Sequence, residues 1–480
     1  MKAPVICALL AALLLAGFFR LKGLTFQSLW LDELVNLYRS APALSPGEIF
    51  SFCRDVEHNP PFFYILTWLW QKIWGVGEYS ARLLPALIGV AGVAAVFGLG
   101  CRIFSRKAGL IAAFITVFLP FHIRYSQEVR PYALLFLVTV CSYLFLVRLL
   151  DNPSWKNTIF YFFFTGLMLY THYYGILVLV AQIFFLIIYF LTYSGPARAP
   201  LLKRTLLSLF LIVFSYLPWI PTLNRQLRLD SFWPDPPQPD FFLNFFKRYF
   251  GQEPYLTSVF TLLIILYLIG SAKKDRFPEN KLLIASWVFI VLFIPYLRSF
   301  NHPPIVIPRY SIAILPGIIL MASRGLLMFR DLKLRYFLLG TVILMFLINL
   351  FYTGGNYYSR VKKEQWRQTV EYIIKRDPGA RYPVCGFECF GYYFNDIFHS
   401  PRSILPRIQT PQQAQSCLEK VRKGEIPGFW VLEAHQYEFA DDSIHKFLDN
   451  NLDNLDSIRL KGAKATLYGR ETDSTRDEQR

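Results

Sequence analysis

Eleven apolar runs, each close to the length of a membrane-spanning helix, dominate this 480-residue sequence. A helix needs about 20 mostly apolar residues to cross the hydrocarbon core of a bilayer, and only helices and closed barrels can cross it. The runs cover about 4–19, 80–101, 108–123, 131–150, 158–171, 174–193, 205–223, 255–271, 282–297, 311–328 and 335–352. Because 54% of the residues are hydrophobic and 17% are aromatic, an ordinary soluble domain is excluded. The sequence predicts a polytopic α-helical membrane protein with about eleven transmembrane helices.

The positive charge of the chain is unevenly distributed. The formal net charge is +17, but from residue 353 onward 19 lysines and arginines nearly balance 18 aspartates and glutamates. The excess lies in short loops between apolar runs, which indicates membrane orientation instead of a nucleic-acid partner. With the N-terminus inside, the external segments are the first loop, the 124–130 and 171–173 turns, the 224–254 and 298–309 loops and the tail. Arg20 and Lys22 lie on the external side and oppose this bias, but the later loops together carry more positive charge on the inside.

The first external loop, residues 20–79, is predicted to carry helices that lie in the membrane interface. The apolar run Phe62–Trp74 gives about 20 Å of helix, which is too short for about 30 Å of hydrocarbon. The stretch SLWLDELVNLYRS (28–40) has the spacing of an amphipathic helix, for which Ser28 is a candidate cap. Its apolar stripe holds Leu31, Leu34, Val35 and Tyr38, and its polar stripe holds Asp32, Asn36 and Arg39.

Two adjacent acids, Asp32 and Glu33, stand near the start of that amphipathic helix. The helix dipole keeps a carboxylate ionised there, although a helix resting on a membrane does not need one. A solvated helix face is the simpler interpretation, and a chemical role is the other. The apolar run before this helix could also be a signal peptide. The lack of a small-x-small cleavage site before Arg20 argues against this interpretation.

The tail from residue 353 to 480 is predicted to be a small extracytoplasmic α/β domain, following a membrane module of residues 1–352. Predicted helices cover 363–376 and 441–451, and predicted strands cover 382–388, 428–434 and 457–468. Cys385, Cys389 and Cys417 share this tail. Two alternatives are open: a disulfide joins Cys417 to one of the other two, or all three remain free thiols. The cysteines in the apolar runs are typical of small packing residues.

Polar side chains collect at the predicted external ends of the apolar runs. These groups are Asp32 and Glu33; Glu57 to Pro61; Arg124 to Tyr132; Thr171 to Tyr174; Asn301 to Pro304; and Pro308 to Tyr310. Singly, arginine and tyrosine at such ends are typical interfacial anchors, and His172 alone is typical of a packing residue. Together they predict a cavity with an acid at its rim and guanidinium groups facing it.

Such a cavity is equipped to displace a phosphate leaving group. A carboxylate takes the proton from an attacking hydroxyl, and arginine binds the departing phosphate through charge-assisted, bidentate hydrogen bonds. Fixed donors stabilise the developing charge, so no metal or other cofactor is required, and only Asp32, Glu33 and His58 are candidates to converge on an ion. Since no nucleotide-binding fingerprint is visible, we expect a donor embedded in the bilayer.

The order of these polar groups resembles bacterial glycosyltransferases of the GT-C fold. The matching residues are Asp32-Glu33, His58-Asn-Pro-Pro, Arg82, Tyr125-Ser-Gln-Glu-Val-Arg-Pro-Tyr132, His172-Tyr-Tyr, Pro308-Arg-Tyr310 and Glu364-Gln-Trp-Arg367. The protein-mannosyltransferase-like family (glycosyltransferase family 39) is the most similar group, and it is akin to the aminoarabinose transferases of lipid A. The resemblance covers most of residues 1–370. It implies an enzyme of the bacterial inner membrane that transfers a sugar, with inversion, from a polyprenyl phosphate to an acceptor hydroxyl on the external face.

The resemblance also implies roles for individual residues. Asp32 falls where the family has its base, with Glu33 in support, and Arg130 and Arg309 fall where basic residues hold the lipid phosphate. The remaining substrate-binding candidates are His58, Arg82, Arg124, Glu128, Tyr132, His172 and Tyr310. Relatives often carry a second acid early in the fourth span, whereas this chain has Glu128 in the preceding turn, so the assignment of the base stays open. The acceptor is a protein, a lipid or a glycan.

Three other functions compete with this interpretation. A secondary transporter predicts an internal repeat, paired broken helices and charges at mid-bilayer depth, none of which the sequence displays. A sensor or scaffold does not explain polar groups on four separate loops. A ligase or polymerase that uses pyrophosphate-linked glycans would differ in its donor.

Overall fold

The computed structural model describes residues 3–57, 59–195, 198–228, 235–270, 275–353, 356–386, 390–408, 410–434 and 442–470. The chain forms two compact units. Unit 1, the membrane unit, comprises Met1–Lys22, Ala43–Thr67 and Arg82–Tyr358. Unit 2, the tail unit, comprises Gly23–Pro42, Trp68–Ala81 and Ser359–Arg480. The sequence assigned the two early segments of unit 2 to the membrane module, whereas in the structure they pack with the tail.

Helices occupy most of the described chain. In chain order they are α1 (Ala3–Leu21), α2 (Leu31–Arg39), α3 (Pro46–Asp55), α4 (Phe62–Trp74), α5 (Glu78–Ile103), α6 (Arg106–Phe118), α7 (Pro120–Ser126), α8 (Tyr132–Asp151), α9 (Trp155–Thr171), α10 (Tyr174–Thr192), α11 (Arg198–Tyr216), α12 (Ile220–Leu227), α13 (Phe241–Tyr249), α14 (Pro254–Ile269), α15 (Asn280–Arg298), α16 (Leu315–Leu326), α17 (Leu332–Ile348), α18 (Trp366–Arg376), α19 (Pro411–Arg422) and α20 (Asp442–Asp449). Helix is present at each of the eleven predicted apolar runs.

The structure does not confirm the predicted number of spanning helices. Within the described ranges, seven helices are long and apolar enough to cross a membrane, or up to nine if each of two bent pairs makes one span. One pair, α6 and α7, bends by 65°, and the other, α13 and α14, bends by 95°. The apolar helix over Tyr310–Leu326 is too short to qualify. The structure therefore supports a multi-pass membrane protein but not a count of eleven.

Proline explains the bend between α6 and α7. Pro120 has no backbone N–H and its ring clashes with the preceding helical turn, so α6 ends at Phe118. The end of α1 packs in the same region, where the side-chain amide of Gln127 donates to the backbone carbonyls of Arg20 at 2.9 Å and Lys22 at 2.8 Å. The carbonyls at a helix C-terminus lack intrahelical partners, and Gln127 supplies donors for them.

The acidic stretch after α1 folds as the predicted helix, α2, but with a different buried face. Asn36, predicted on the polar stripe, is fully buried, while Tyr38, predicted on the apolar stripe, is 42% exposed. Glu33 is also fully buried, because it pairs with Lys363 of the same unit. The predicted cap is wrong as well: Trp30 precedes the helix as its N-cap, and Ser28 donates to Gln368 instead. The polar face of α2 thus packs against protein.

The tail, for which the sequence predicts an α/β domain, carries both helices and strands. Its strands are β1 (Val384–Cys385), β2 (Ile404–Leu405), β3 (Gly428–Ala434), β4 (Asp453–Leu460) and β5 (Ala463–Gly469). They form one mixed sheet in the order β2-β1-β3-β5-β4, in which β1 pairs in parallel with β2 and β3, while β3–β5 and β5–β4 are antiparallel. The single strand predicted over 457–468 is wrong, because Gly462, with φ +64°, turns the chain into a hairpin. Helix α19 and strand β2 were not predicted.

Two tail cysteines meet in the core of this domain. Cys385 on β1 and Cys417 on α19 are both buried, and their Sγ atoms lie 3.8 Å apart as free thiols. The third tail cysteine, Cys389, lies outside the described residues. A disulfide between Cys385 and Cys417 stays a prediction, and the structure brings the two thiols into contact.

Candidate functional site

A cluster of aromatic rings in unit 1 surrounds His172, the residue that directly follows α9. The ring centroid of His172 lies 5.1 Å from that of Tyr310, 5.7 Å from that of Tyr174 and 6.2 Å from that of Tyr132. Tyr132 begins α8, Tyr174 begins α10, and Tyr310 follows the 301–309 loop. The cluster therefore joins three segments that are distant in sequence, and Tyr132, His172 and Tyr310 are three of the predicted site residues.

His172 is held neutral in this cluster. Burial lowers its pKa to about 3, and the positive charges of Arg130 and Arg309 lower it in the same direction. Its Nδ1 accepts a hydrogen bond from the backbone N–H of Tyr174 at 3.2 Å, so the neutral ring carries its proton on Nε2. The imidazole is thus a hydrogen-bond donor without a positive charge, close to two guanidinium groups.

The two arginines assigned to a lipid phosphate are therefore neighbours of the same histidine. Arg130 is 6% exposed and lies in the turn between α7 and α8, and Arg309 lies directly before Tyr310. The Cζ atom of Arg309 is 5.6 Å from the ring centroid of Tyr310, in cation–π geometry. Two guanidinium groups beside a neutral donor concentrate positive charge where a phosphate can bind.

A polar cavity of about 470 Å³ opens beside Arg309. Its lining includes two further arginines, Arg124 on α7 and Arg248 on α13, together with Tyr125. Arg124, Arg248 and Arg309 all act electrostatically on the Tyr125 hydroxyl. The volume is within the range of small-molecule sites. The sequence analysis did not identify Arg248, because it lies within the long predicted loop 224–254 and no motif marks it.

Glu128, the candidate second acid, lies on the same side of unit 1. It is 1% exposed, and its Oε1 atom accepts from Nε of Arg124 at 3.5 Å. Glu128, Arg124 and Arg82 also act on the hydroxyl of Tyr357, whose pKa is raised chiefly by burial. Arg82, near the start of α5, is 2% exposed. Tyr357 is a further residue that the sequence did not single out.

A second, mostly apolar cavity of about 310 Å³ adjoins the aromatic cluster. His172, Tyr174 and Tyr310 form part of its wall. The rest of the lining comes largely from apolar residues of α10, α12 and α15 and from the 303–305 segment, with Asn59, Gln226 and Arg298 as polar members. The His172 cluster thus contributes to an apolar cavity, while the neighbouring Arg309 lines a polar one, whose wall also includes Asp235 and Asp240.

Asp32 and Glu33, the predicted catalytic pair, belong to unit 2. Asp32 is partly exposed, whereas Glu33 is fully buried and paired with Lys363. His58 lies outside the described residues. Among the described residues, no group of three or more His, Cys, Asp and Glu side chains is placed to hold a metal ion.

The structure thus assembles eight of the eleven predicted site residues within unit 1. These are Arg82, Arg124, Glu128, Arg130, Tyr132, His172, Arg309 and Tyr310. The sequence predicted only that these residues lie on the same side of the membrane. Which of them are close together depends on how α5, α7, α8, α9 and the 301–309 loop pack.

Known proteins share this fold. Residues 58–219 match the family model of the dolichyl-phosphate-mannose-protein mannosyltransferases. The chain is similar to the structure of ArnT from Cupriavidus metallidurans in the apo state, with 13% identity, a TM-score of 0.65 and coverage of 96% of this chain and 97% of that one. The structure of ArnT bound to undecaprenyl phosphate gives a TM-score of 0.64, 13% identity, and coverage of 97% and 98%.

Two enzymes from other groups share the fold less closely. The archaeal oligosaccharyltransferase AglB from Archaeoglobus fulgidus, in complex with an inhibitory peptide and a dolichol-phosphate, has 12% identity and a TM-score of 0.53 over 90% of this chain and 69% of that one. The mycobacterial arabinofuranosyltransferase AftD has 14% identity and a TM-score of 0.54 over 98% and 40%. No curated protein sequence matches the chain significantly. The expected resemblance to GT-C-fold, protein-mannosyltransferase-like enzymes is confirmed.

Proposed function

Given the GT-C fold, we propose that this chain is a glycosyltransferase that takes a sugar from a polyprenyl monophosphate and transfers it, with inversion, to an acceptor hydroxyl. The observation that carries the proposal is the pair Arg130 and Arg309 acting on the buried, neutral His172. The two guanidinium groups supply positive charge beside the neutral histidine, where a phosphate can bind. The donor phosphodiester carries one negative charge, and the polyprenyl phosphate that departs carries two, which match the charge and the planar fork of the two guanidinium groups.

In this proposal the arginines act on the leaving group. The bond from the sugar carbon to the phosphate oxygen breaks, and the electron pair remains on the phosphate. Arg130 and Arg309 stabilise the charge that develops there, and Nε2–H of His172 is a further donor. The neutral His172 adds no third cation that would hold the product phosphate after transfer.

The two cavities of unit 1 suit the two ends of a lipid-linked donor. The cavity with Arg124, Arg248 and Arg309 suits the polar end. The apolar cavity beside His172 and Tyr310 suits the first part of an isoprenoid chain. ArnT, whose structure contains undecaprenyl phosphate, is similar over nearly the whole chain, which supports this class of donor.

The proposal keeps Asp32 as the base that takes the proton of the acceptor hydroxyl. Its partial exposure at the start of α2 leaves it accessible to an acceptor, in contrast to the buried Glu33. The charge bias of the loops supports a reaction on the external face of the membrane, and the resemblance to bacterial GT-C-fold enzymes supports a bacterial inner membrane as its location.

Transfer of labelled sugar from a panel of donors tests the function. Membranes with matched amounts of wild type, Arg309→Ala and Arg330→Ala are supplied with polyprenyl monophosphate sugars and, separately, polyprenyl pyrophosphate glycans. Arg330 is an exposed arginine outside the cluster and serves as the control. We expect the wild type and Arg330→Ala to consume one monophosphate donor equally, and Arg309→Ala to lose roughly 10- to 100-fold in kcat/KM, since a hydrogen bond to a charged group contributes about 1.5–3 kcal/mol.

Two results would contradict the proposal. Turnover of the pyrophosphate donors alone would assign the chain to the ligase or polymerase class. Equal turnover by Arg309→Ala and wild type would remove the arginine cluster from the reaction.

A further inference from the structure

Glu33 is engaged on two sides within unit 2. Its Oε2 atom accepts from the backbone N–H of Trp30 at 3.3 Å, which satisfies a donor at the N-terminus of α2. The same oxygen accepts from Nζ of Lys363 at 2.8 Å. The Glu33 side chain is fully buried and that of Lys363 is 15% exposed, so the ion pair is shielded from water. A carboxylate held in this way is poorly placed to collect the proton of a substrate.

The segment before α2 is bound to the same part of the tail. The side-chain oxygen of Gln27 accepts from the backbone N–H groups of Lys362 at 2.9 Å and Lys363 at 3.1 Å, and its Nε2 donates to the carbonyl of Arg360 at 2.8 Å. Ser28 donates to Oε1 of Gln368 at 2.7 Å. The 27–33 segment is therefore held by residues 360–368 through both backbone and side chains.

A second set of contacts fixes the same segment from the start of α5. Glu78 pairs with Arg367, and its Oε1 accepts from the hydroxyl of Tyr393 at 2.6 Å. The backbone N–H of Leu29 donates to Tyr393 at 2.7 Å. Glu78 is 6% exposed, so this network is also buried. Lys363 and Arg367 thus reach the loop from one stretch of the tail.

The fixed position of Glu33 determines the position of its neighbour. Successive residues on an α-helix are about 100° apart around its axis. When Glu33 points at Lys363, Asp32 is consequently turned about 100° away and remains partly exposed. A rotation or a shift of α2 would move the Asp32 carboxylate in equal measure.

From these contacts we infer that Glu33 and Lys363 are positioning residues, which orient α2 so that Asp32 is presented to the acceptor, and that the tail domain is needed for transfer through this pair. The inference rests on the proposed function for its kinetic part, but the orientation of α2 can be measured without any turnover. It separates the roles of the two adjacent acids: Asp32 is the base, and Glu33 is its support.

The test combines kinetics with hydrogen exchange in purified full-length protein. The variants are Lys363→Met, Lys363→Arg, Glu33→Gln and the double variant Glu33→Gln/Lys363→Met. Lys375→Met is the control, because Lys375 is an exposed lysine of the same domain. Rates are expressed per mole of monodisperse protein, so a loss of folded enzyme does not count as a loss of kcat.

We expect Lys363→Met to lower kcat by about 100-fold with little change in the KM for the donor, the size of effect that small misplacements of reacting groups produce. Lys363→Arg should restore most of the rate, and the double variant should be no slower than the worse single variant, since both remove the same interaction. Amide exchange over residues 25–39 should rise in Lys363→Met and stay unchanged in Lys375→Met.

The experiment distinguishes a failure of the proposed function from a failure of the positioning role. If the wild type consumes none of the donors, the proposed function is wrong, while the exchange data still decide whether Lys363 holds α2. If the wild type is active and Lys363→Met matches it in both kcat and exchange, the positioning role is wrong.

Discussion

Arg20 donates a hydrogen bond from Nη2 to the backbone carbonyl of Thr116 at 3.0 Å. Pro120 cannot donate to this carbonyl, because proline has no backbone N–H. In an α-helix the carbonyl of residue 116 would accept from the N–H of residue 120. Arg20 thus replaces a missing helical hydrogen bond at the bend between α6 and α7, and it also donates to the carbonyl of Val117 at 3.4 Å. Since Arg20 is fully buried, its departure from the charge bias reflects packing and not orientation.

Replacement of Arg20 by methionine should destabilise the membrane unit. Each buried carbonyl left without a donor costs about 1–3 kcal/mol, so we expect a loss of roughly 2–6 kcal/mol from the two carbonyls of α6. The midpoint of thermal unfolding in detergent measures the loss. Lys22→Met is the matched control, because Lys22 is exposed and stacks on aromatic rings, an interaction of about 1 kcal/mol or less. Equal midpoints for the two variants would refute the role of Arg20.

The buried His172 should make the protein sensitive to acid. Its pKa is depressed to about 3 by burial and by Arg130 and Arg309, so below the ordinary value of about 6.5 the unfolded chain binds a proton that the folded chain does not. Stability is therefore lost as the pH falls from about 6.5 towards 3, by about 1.4 kcal/mol per unit from this residue. His172→Gln should flatten that dependence in thermal unfolding between pH 6.5 and pH 4.5. An unchanged slope would mean that His172 is not held neutral.

Asp32→Asn should abolish most of the sugar transfer and spare the fold. General-base catalysis contributes about 100-fold or more to the rate, and asparagine preserves the shape of the side chain without its basicity. Initial rates at saturating donor and acceptor, with protein amounts matched, measure the effect. Glu128→Gln is the informative comparison, because Glu128 is the other candidate acid. A larger loss in Glu128→Gln than in Asp32→Asn would transfer the role of base to Glu128.

In an oxidising extracytoplasmic compartment, Cys385 and Cys417 should form a disulfide. Their thiols are 3.8 Å apart in the tail core, and a thiol–disulfide oxidoreductase would accept the two electrons and two protons that they release. Linked peptides in non-reducing mass spectrometry identify the bond, and Cys417→Ser should lower stability by about 2–4 kcal/mol under oxidising conditions only. Quantitative alkylation of both cysteines in unreduced, denatured protein would contradict the prediction.

Hydrophobic periodicity predicted the helices well but not the interruptions in them. Apolar runs report burial in lipid or protein along the chain, and helix is present at all eleven predicted positions. Pro120 lies within the third run, but a proline alone does not tell whether a helix kinks or ends. Whether the helix kinks or ends depends on whether another donor, here Arg20, forms a hydrogen bond with the carbonyl that loses its helical partner. A run that ends in a bend is therefore predicted as one span from hydropathy, although no single straight helix covers it.

The polar face of α2 was predicted less well, for a related reason. Periodicity identifies which residues share a stripe, but it cannot identify what covers each stripe. Both Asn36 and Glu33 are buried, and the partner of Glu33, Lys363, lies over 300 positions later in the tail. The cluster around His172 depends in the same way on loops that meet only in the folded chain.

The order of synthesis adds a constraint on how this protein matures. Glu33 and Lys363 are separated by 330 residues, so at about 5–20 residues per second the ribosome needs about 20–70 seconds after making the acid to deliver its partner. For that time the loop with Asp32 lacks the contacts that order it. Enzymatic competence would then be acquired only at the end of translation, and a chain released early would insert into the membrane and remain inactive.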